Sequence, residues 1–404
     1  MSLSNTKPLI LICGAGLGGL MAALALLKKG YPVKLFEQAS ALGDVGAGIQ
    51  MSANGSRLIF EMGLGKELMS IACIPTGKEI RLWSSGKAWP LFDLGTESVE
   101  RYGFPYVMVH RADLHAILVK AVQILSPDCI VLNAKGVSFE EKENVVTLQL
   151  DNGERHHGAA LIGSDGVHSK IRQQLIGNDS PVFTGCMAWR GLIPTNSLPE
   201  HLQRRVGVNW VGPGRHVVHY PIRRGELVNF VGIVEKDSWQ IESWNQMGTK
   251  EECTEDFKGW NDDIHTLIAN IQTPYKWALM GREPLKHWSK GVVSLLGDAC
   301  HPTLPFLAQG AMMALEDGIV LARCIERDQN DIESALIRYA NVRLERTNQI
   351  VIGSTENAKR FHNPKLRDLE GANEYVNSEW TIEKINARYN WLFEYDATKV
   401  DLGN

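Results

Sequence analysis

A glycine-rich turn near the N-terminus has the spacing of a nucleotide-binding site. Gly14, Gly16 and Gly19 form a GxGxxG pattern. The first glycine of such a turn permits a tight bend, the second lets backbone approach a pyrophosphate, and the third lets the following helix pack closely. Glu37 follows about twenty residues later, where a carboxylate can accept hydrogen bonds from a ribose. The pattern predicts dinucleotide binding without separating FAD from NAD, and a merely glycine-rich turn is the alternative.

Two later turns each place an aspartate after an apolar run. Asp165 lies in GSDG and Asp298 lies in GDACHP. An aspartate at a strand end can bind a ribityl hydroxyl, and a helix N-terminus near Gly310 and Ala311 can stabilise negative charge on a reduced flavin. Taken singly, each segment is also typical of an ordinary turn.

A histidine and a tyrosine on one predicted strand are candidates for acid–base chemistry. In the run HVVHYPI, alternation places His216, Val218 and Tyr220 on one face and His219 on the other. Histidine titrates near neutral pH and can accept a phenolic proton. From the residues alone, the favoured alternative is that this histidine and tyrosine lie on a half-exposed sheet face without a catalytic role.

The elements around the first turn follow a β-α-β order. The apolar run 9–13 is typical of a buried parallel strand, 18–29 of a helix, and 33–37 of a second strand. This order begins a doubly wound α/β unit. By the same criteria the remaining elements are a mostly helical segment 107–125, strands 145–150, 159–166 and 292–299, a separate sheet-based region over about 183–284, and helices 311–327, 332–350 and 376–395.

Composition narrows the class of protein. The chain has 404 residues and a net charge of −4, with Lys and Arg spread along it, so we expect neither nucleic acid nor a membrane surface as partner. Seven widely spaced cysteines without a CxxC pair favour free thiols and a cytoplasmic location. The apolar stretch 9–27 changes period from strand to helix, so we interpret it as buried structure, with no targeting or integral membrane segment. We identify no metal-binding motif and no close grouping of histidines and carboxylates.

In combination, the motifs resemble the single-component FAD-dependent aromatic hydroxylases. GAGLGG, GSDGVHSKIR and GDACHP are similar to the family's three fingerprints. HRADLHAIL (110–118) resembles the helix that presents an arginine, here Arg111, to the flavin. GAGIQMSANG (46–55), with Gly48 and Gln50, resembles the loop beside the flavin ring. The resemblance spans nearly the whole chain and implies a para-hydroxybenzoate hydroxylase fold with non-covalent FAD, whose ADP half contacts the glycine turn together with Glu37 and Gln38.

The resemblance also implies a reaction. NADH or NADPH reduces FAD, O2 adds to the flavin, and the C4a-hydroperoxide passes one oxygen atom to a small phenolic or hydroxypyridine carboxylate. The subfamily resemblance favours NADH, and the family suggests a homodimer. An FAD-dependent reductase or halogenase on the same scaffold, or a non-catalytic flavin-binding protein, remains an alternative.

Within the family, the chain is most similar to 3-hydroxybenzoate 6-hydroxylases, and then to salicylate 1-hydroxylases and 6-hydroxynicotinate 3-monooxygenases. His216 and Tyr220 match positions that line the substrate pocket in these enzymes. Pro305 and Phe306 depart from the pattern, because the relatives carry glutamine at the first position or histidine at the second. Gln50 stands where the 6-hydroxynicotinate pattern has histidine. We therefore expect a more apolar pocket roof, and none of the three substrates transfers directly.

The predicted fold class is α/β, with a Rossmann-like FAD-binding domain, an inserted β-sheet substrate domain and a helical C-terminal region. The expected domain segments are FAD-binding for 1–75, 106–183 and 285–355, substrate-binding for 76–105 and 184–284, and C-terminal for 356–404.

Overall fold

The computed structural model describes residues 7–43, 47–177, 179–237 and 246–403. Its strands are β1 Ile10–Cys13, β2 Val33–Phe36, β3 Gly48–Met51, β4 Gly77–Leu82, β5 Ala88–Phe92, β6 Val107–His110, β7 Ile130–Val131, β8 Gly136–Lys142, β9 Val145–Leu150, β10 Arg155–Gly158, β11 Ala160–Gly163, β12 Val182–Pro194, β13 Val206–Gly212, β14 Arg215–Ile222, β15 Leu227–Glu235, β16 Gln246–Met247, β17 Tyr275–Gly281, β18 Ser289–Lys290 and β19 Val293–Leu295. Its α-helices are α1 Leu17–Lys28, α2 Ala53–Glu61, α3 Gly65–Ile71, α4 Thr96–Tyr102, α5 Arg111–Leu125, α6 Lys170–Ile176, α7 Lys250–Asp256, α8 Asp262–Ala269, α9 Gly310–Arg327, α10 Ile332–Phe361, α11 Leu369–Glu379 and α12 Ile382–Phe393.

A six-stranded sheet carries the N-terminal turn. Its order is β18-β19-β11-β1-β2-β7, and β1 pairs in parallel with both β2 and β11. Every residue of β1 is buried, as expected for a strand covered on both faces. Helix α1 packs against α5 and α9. The predicted β-α-β start is therefore confirmed, and Glu37 comes directly after β2.

An eight-stranded sheet forms the second layer of the molecule. Its order is β16-β17-β12-β15-β14-β13-β4-β5, and β4 pairs in parallel with β13 while the other pairs are antiparallel. The strands come from 77–92 and 182–281, so two separate stretches of chain build one sheet. A core that includes residues of α7 and α8 lies on the face of β14 opposite to Val218. The chain therefore has an α/β fold with a Rossmann-like unit and a large mixed sheet.

The segment 107–125 is mostly helical, as predicted, but its first four residues form a strand. Val107–His110 forms β6, which is fully buried and pairs antiparallel with β3. The helix begins at Arg111, where the ring of His110 accepts a hydrogen bond from the Ala112 N–H at 3.3 Å. The buried pairing of β6 with β3 depends on tertiary structure, and it overrides the helical pattern at these four residues. Gly46, at the start of the predicted flavin-ring loop, lies outside the described residues.

The C-terminal helices differ from the expected ones in length and number. Helix α10 continues to Phe361 and so crosses the expected boundary between residues 355 and 356. The predicted helix 376–395 is two helices, α11 and α12, which meet at Trp380 and Thr381. The Thr381 hydroxyl accepts a hydrogen bond from the Lys384 N–H at 3.3 Å, and this cap starts a new helix.

The seven cysteines are all buried free thiols. Among the described residues, no helix combines the length and apolar character that crossing a membrane requires.

Candidate functional site

The N-terminal turn has the geometry that its glycines predict. Gly14 has a φ of 108°, and a Cβ there would lie 2.3 Å from the carbonyl oxygen of Ser164. A Cβ on Gly19 would lie 2.1 Å from the carbonyl oxygen of Gly14. Side chains are therefore excluded at both positions, which lets β1, α1 and the Ser164 turn approach one another closely.

Gly16 has a different environment, and this environment fits a bound cofactor. A Cβ at Gly16 would meet no atom within 4 Å. Gly16 is also the N-cap of α1, without a side-chain cap, so the first N–H groups of the helix are open to the cavity that Gly16 and Gly19 line. An uncapped helix N-terminus with open space beside it fits the diphosphate of FAD.

Glu37 and Gln38 lie beside this turn but not in the cavity wall. The Glu37 carboxylate accepts hydrogen bonds from the backbone N–H groups of Ala15 and Ala39, each at 2.9 Å. Gln38 is exposed. The carboxylate therefore orders the turn, and the expected contact of both residues with an adenosine ribose stays a prediction.

Asp165 does not line the cavity. Its carboxylate accepts hydrogen bonds from the Ser169 hydroxyl at 2.5 Å and from the Lys170 N–H at 2.8 Å. It thus stabilises the start of α6, while its neighbours Ser164 and Gly166 line the cavity. The structure brings the GSDG turn to the cavity, and direct cofactor binding by the Asp165 side chain stays a prediction.

The turn around Asp298 converges on the same cavity from the other side. Asp298 is exposed towards it, and Arg111, Gly310 and Ala311 line it as well. Helix α9 begins after Gln309 without a side-chain cap, so its N-terminal N–H groups also face the cavity. Two helix N-termini therefore point at one continuous space of about 430 Å³.

A buried set of charges, here called the ion cluster, supports the Asp298 turn. It consists of Glu316 and Asp317 on α9 and Arg343 and Arg346 on α10. Arg343 contacts Glu316 and Asp317 at 2.7 Å each, and Arg346 binds both oxygens of Glu316 at 2.8 Å. Burial alone would raise the pKa of Asp317, but His301 and Arg343 more than offset it and lower the pKa to about 2. The cluster therefore holds α9 and α10 together as ion pairs.

His301 belongs to the framework around the Asp298 turn. Its Nε2 lies 2.6 Å from the Asp317 carboxylate, and it does not line the cavity. Cys300, His301 and Asp317 also place three potential metal-ligand atoms within 4.8 Å of one another. The sequence search missed this grouping because Asp317 is 16 residues from His301. We attribute it to the ion cluster, since Arg343 and His301 already occupy the carboxylate.

The predicted face of β14 forms one wall of the cavity. His216, Val218 and Tyr220 line it, whereas His219 does not. The Tyr220 ring packs so closely on Gly48 that a Cβ there would lie 2.6 Å from it. Burial raises the pKa of Tyr220, so its hydroxyl stays protonated and suits hydrogen bonding better than proton abstraction.

His216 is fully buried and surrounded by aromatic rings. Its ring centroid lies 5.1 Å from that of Phe306 and 5.0 Å from that of Phe361. Burial, together with neighbouring His362, holds the pKa of His216 well below its usual range. The imidazole is therefore neutral near pH 7 and offers one nitrogen as a proton acceptor.

The roof above His216 is apolar. Pro305 and Phe306 both line the cavity, within a stretch that also contributes Leu304 and Leu307. Phe306 is buried and its edge meets the His216 ring. The side chains of the roof can therefore pack against a substrate and exclude water, but they cannot form a hydrogen bond with it.

Lys78 is the residue that sequence reasoning missed. Its side chain lines the cavity and is half-buried, and its ammonium group has no hydrogen bond or ion pair with any described residue. Burial lowers the pKa of Lys78 to about 8. Gln50 lies nearby, because the Lys78 Cγ and the Gln50 Oε1 are both within 4 Å of the Cβ position at Gly207. The signal was a lysine two residues before the buried Ile80, and therefore on the same face of β4.

Comparisons with known proteins agree with this geometry. A family model described as an FAD binding domain matches residues 8–353. A 3-amino-4-hydroxybenzoate 2-monooxygenase of Streptomyces platensis is 36% identical over 98% of both chains. A 3-hydroxybenzoate 6-hydroxylase of Polaromonas naphthalenivorans is 36% identical over 96% of both chains. The crystal structure of Klebsiella pneumoniae HpxO with FAD and uric acid superposes with a TM-score of 0.82, at 25% identity, over 96% of this chain and 97% of HpxO.

Fold, cavity and comparisons define a flavoprotein oxidoreductase. The chain belongs to the family of FAD-dependent aromatic monooxygenases, for which NAD(P)H is the usual reductant. The monooxygenase interpretation is thereby favoured over the reductase, halogenase and non-catalytic alternatives.

Proposed function

We propose that this enzyme hydroxylates a small phenolic or hydroxypyridine carboxylate, with His216 accepting the hydroxyl proton and Lys78 binding the carboxylate. The observation that carries the proposal is that a neutral histidine and a lysine without a counter-ion in the described part of the chain line the same cavity. A substrate with a hydroxyl and a carboxylate provides one partner for each group.

Lys78 supports the anionic half of this substrate class. An ammonium group that is partly buried without a counter-ion is costly, and a bound carboxylate would reduce that cost. Asn209 adds a polar group to the same wall, since its buried Oδ1 has no hydrogen-bond partner among the described residues. The named substrates of the two relatives above are likewise hydroxybenzoates.

His216 supports the phenolic half. An aromatic ring reacts with an electrophilic oxygen faster as a phenolate than as a phenol, so a base at the hydroxyl accelerates the step. The neutral His216 ring can accept that proton, while the protonated Tyr220 can donate a hydrogen bond to the same substrate. Phe306 and its apolar neighbours cover the ring and exclude water.

The remainder of the cavity would hold FAD. The residues that would hold it are the glycine turn at Gly14–Gly19, Arg111, Asp298 and the N-terminus of α9 at Gly310. Bound FAD would supply the reducible ring that activates O2 and delivers one oxygen atom. The positive N-terminus of α9 would favour negative charge on that ring.

Three further assignments follow the family resemblance. We propose NADH as reductant, because the subfamily resemblance favours it, and O2 as co-substrate. We propose a homodimer on the same ground. The seven buried free thiols support a reducing, cytoplasmic location.

The test is a substrate screen with the purified FAD-loaded enzyme and NADH. Hydroxybenzoates, aminohydroxybenzoates and hydroxypyridine carboxylates are compared, and hydroxylated product and hydrogen peroxide are measured together. We expect at least one compound to give product in proportion to NADH consumed. Peroxide without product from every compound would show that the proposed substrate class is wrong.

A further inference from the structure

A hydrogen-bonded series of three side chains connects the substrate wall of the cavity with the protein surface. His216 Nδ1 lies 2.7 Å from His362 Nε2, and His362 Nδ1 lies 2.7 Å from Glu235 Oε1. His216 and His362 are buried, whereas the Glu235 side chain is 58% exposed. This series of hydrogen bonds therefore begins at the cavity and ends in solvent.

The hydrogen-bond roles along this chain are fixed from its outer end. A carboxylate only accepts hydrogen bonds, so His362 Nδ1 carries a hydrogen and donates it to Glu235. Burial lowers the pKa of His362 despite the opposing effect of Glu235, so the ring is neutral and its Nε2 accepts. His216 Nδ1 must then be the donor in the bond between the two rings. The lone pair of neutral His216 consequently lies on Nε2, the nitrogen left for the cavity.

We propose that His216, His362 and Glu235 form a relay that carries the substrate's hydroxyl proton from the cavity to solvent. This inference rests on the proposed function, because it takes His216 as the base. His362 and Glu235 are positioning residues that act through His216.

The transfer balances without a charged intermediate. The substrate hydroxyl gives its proton to His216 Nε2, the Nδ1 proton of His216 moves to His362 Nε2, and the Nδ1 proton of His362 moves to Glu235 and then to water. Both rings remain neutral, each with its hydrogen on the other nitrogen. When the product phenolate takes a proton back from His216, the reverse transfers restore the starting arrangement.

Burial explains why a lone histidine would serve less well. A proton that stayed on His216 would leave an imidazolium among Phe306, Phe361 and a second histidine, and burial disfavours that charge. Passing the proton outward avoids the buried charge. The exposed Glu235 can exchange the proton with water.

The test follows ionisation of a bound phenol in the FAD-loaded enzyme. The probe is 3-hydroxy-4-nitrobenzoate, whose phenolate absorbs visible light, and its ionisation after mixing is recorded by stopped flow. In Glu235→Gln the amide oxygen can still accept from His362 but cannot take up a proton. We expect phenolate formation to slow by about tenfold or more, with flavin content unchanged. His362→Gln should slow it as well.

Glu226→Gln is the matched control, because it removes one exposed carboxylate of the same large sheet region outside the chain of contacts. It should ionise the probe at the wild-type rate. Glu235 is exposed, so its variant decides the question even where His362→Gln loses flavin. If Glu235→Gln forms the phenolate at the wild-type rate, the relay proposal is wrong, while the proposed hydroxylase function is unaffected. A wild-type enzyme that hydroxylates none of the screened compounds would instead remove the proposed function.

Discussion

The ion cluster and the sheet wall of the cavity use buried polar groups in opposite ways. In the ion cluster, Arg343 contacts both Glu316 and Asp317 at 2.7 Å, so each charge has its partner inside the protein. In the sheet wall, Lys78 and the Asn209 side-chain oxygen have no such partner among the described residues. Since unpaired buried polar groups are costly, their persistence at one place indicates a ligand that completes them.

This difference separates the buried polar groups that stabilise the fold from those that we propose bind substrate. Paired charges hold α9 and α10, and with them the Asp298 turn, in place. Unpaired groups lie where a substrate would bind. Changes in the first set should therefore unfold the protein, and changes in the second should alter catalysis while the protein stays folded.

The largest effect is expected from Arg343→Met. Removing the guanidinium leaves Asp317 with only His301 and Glu316 with only Arg346, and breaking a buried ion pair typically costs about 3–5 kcal/mol. We expect the free energy of unfolding in urea to fall by that amount and purified protein to carry little FAD. The control is Lys258→Met, which breaks the exposed pair with Glu255 and should cost less than about 1 kcal/mol. Equal stability of the two variants would remove the distinction between the regions.

His216→Gln should act on chemistry alone. General base catalysis contributes about 10²–10⁴-fold, so we expect a loss of hydroxylation rate in that range with flavin content near wild type. NADH oxidation should continue and release hydrogen peroxide in place of product. His219→Gln on the opposite face of β14 is the control and should retain coupled hydroxylation. A parallel loss of flavin and activity in His216→Gln would show that the residue is structural.

Lys78→Met should weaken substrate binding selectively. A hydrogen bond to a charged group contributes about 1.5–3 kcal/mol, which corresponds to roughly 10–100-fold in Kd. We expect that loss for a hydroxybenzoate and little change for the matching hydroxybenzamide, measured by flavin absorbance titration. If both ligands lose affinity equally, Lys78 does not recognise the carboxylate.

The smallest effect is a pH dependence of the same contact. Burial lowers the pKa of Lys78 to about 8, so its positive charge is present below that pH and is lost as the pH rises through it. The Kd for benzoate, which has no phenolic hydroxyl to titrate, should therefore rise above pH 8. Lys78→Arg should flatten the profile because a guanidinium stays charged. A wild-type profile that is flat to pH 9.5 would contradict the assignment.

Much of the cofactor side was readable from the sequence. The spacing of Gly14, Gly16 and Gly19 predicted close packing at two positions and open space at the third, and the structure has both. Alternation along β14 correctly placed His216 and Tyr220 on the cavity face. These features depend on local geometry, the bend of one turn and the period of one strand, which a short sequence specifies.

Other local patterns were insufficient. The segment 107–125 is mostly helical, as expected, but the pattern did not show that residues 107–110 form a strand, because that strand depends on pairing with β3, more than fifty residues earlier in the chain. The break at Thr381 was likewise overlooked, since a threonine cap has its effect only where packing lets one helix end and another begin.

The sequence by itself determined the family, the nucleotide-binding turn and the strand that carries the proposed base. The tertiary structure alone decided which polar groups find partners. His362 meets His216 across 146 residues, Arg343 meets Asp317 across 26, and Lys78 meets no counter-ion among the described residues. Such contacts depend on how separate strands and helices pack, and no local period encodes them. The residues proposed to select the substrate and move its proton therefore became visible only in the folded chain.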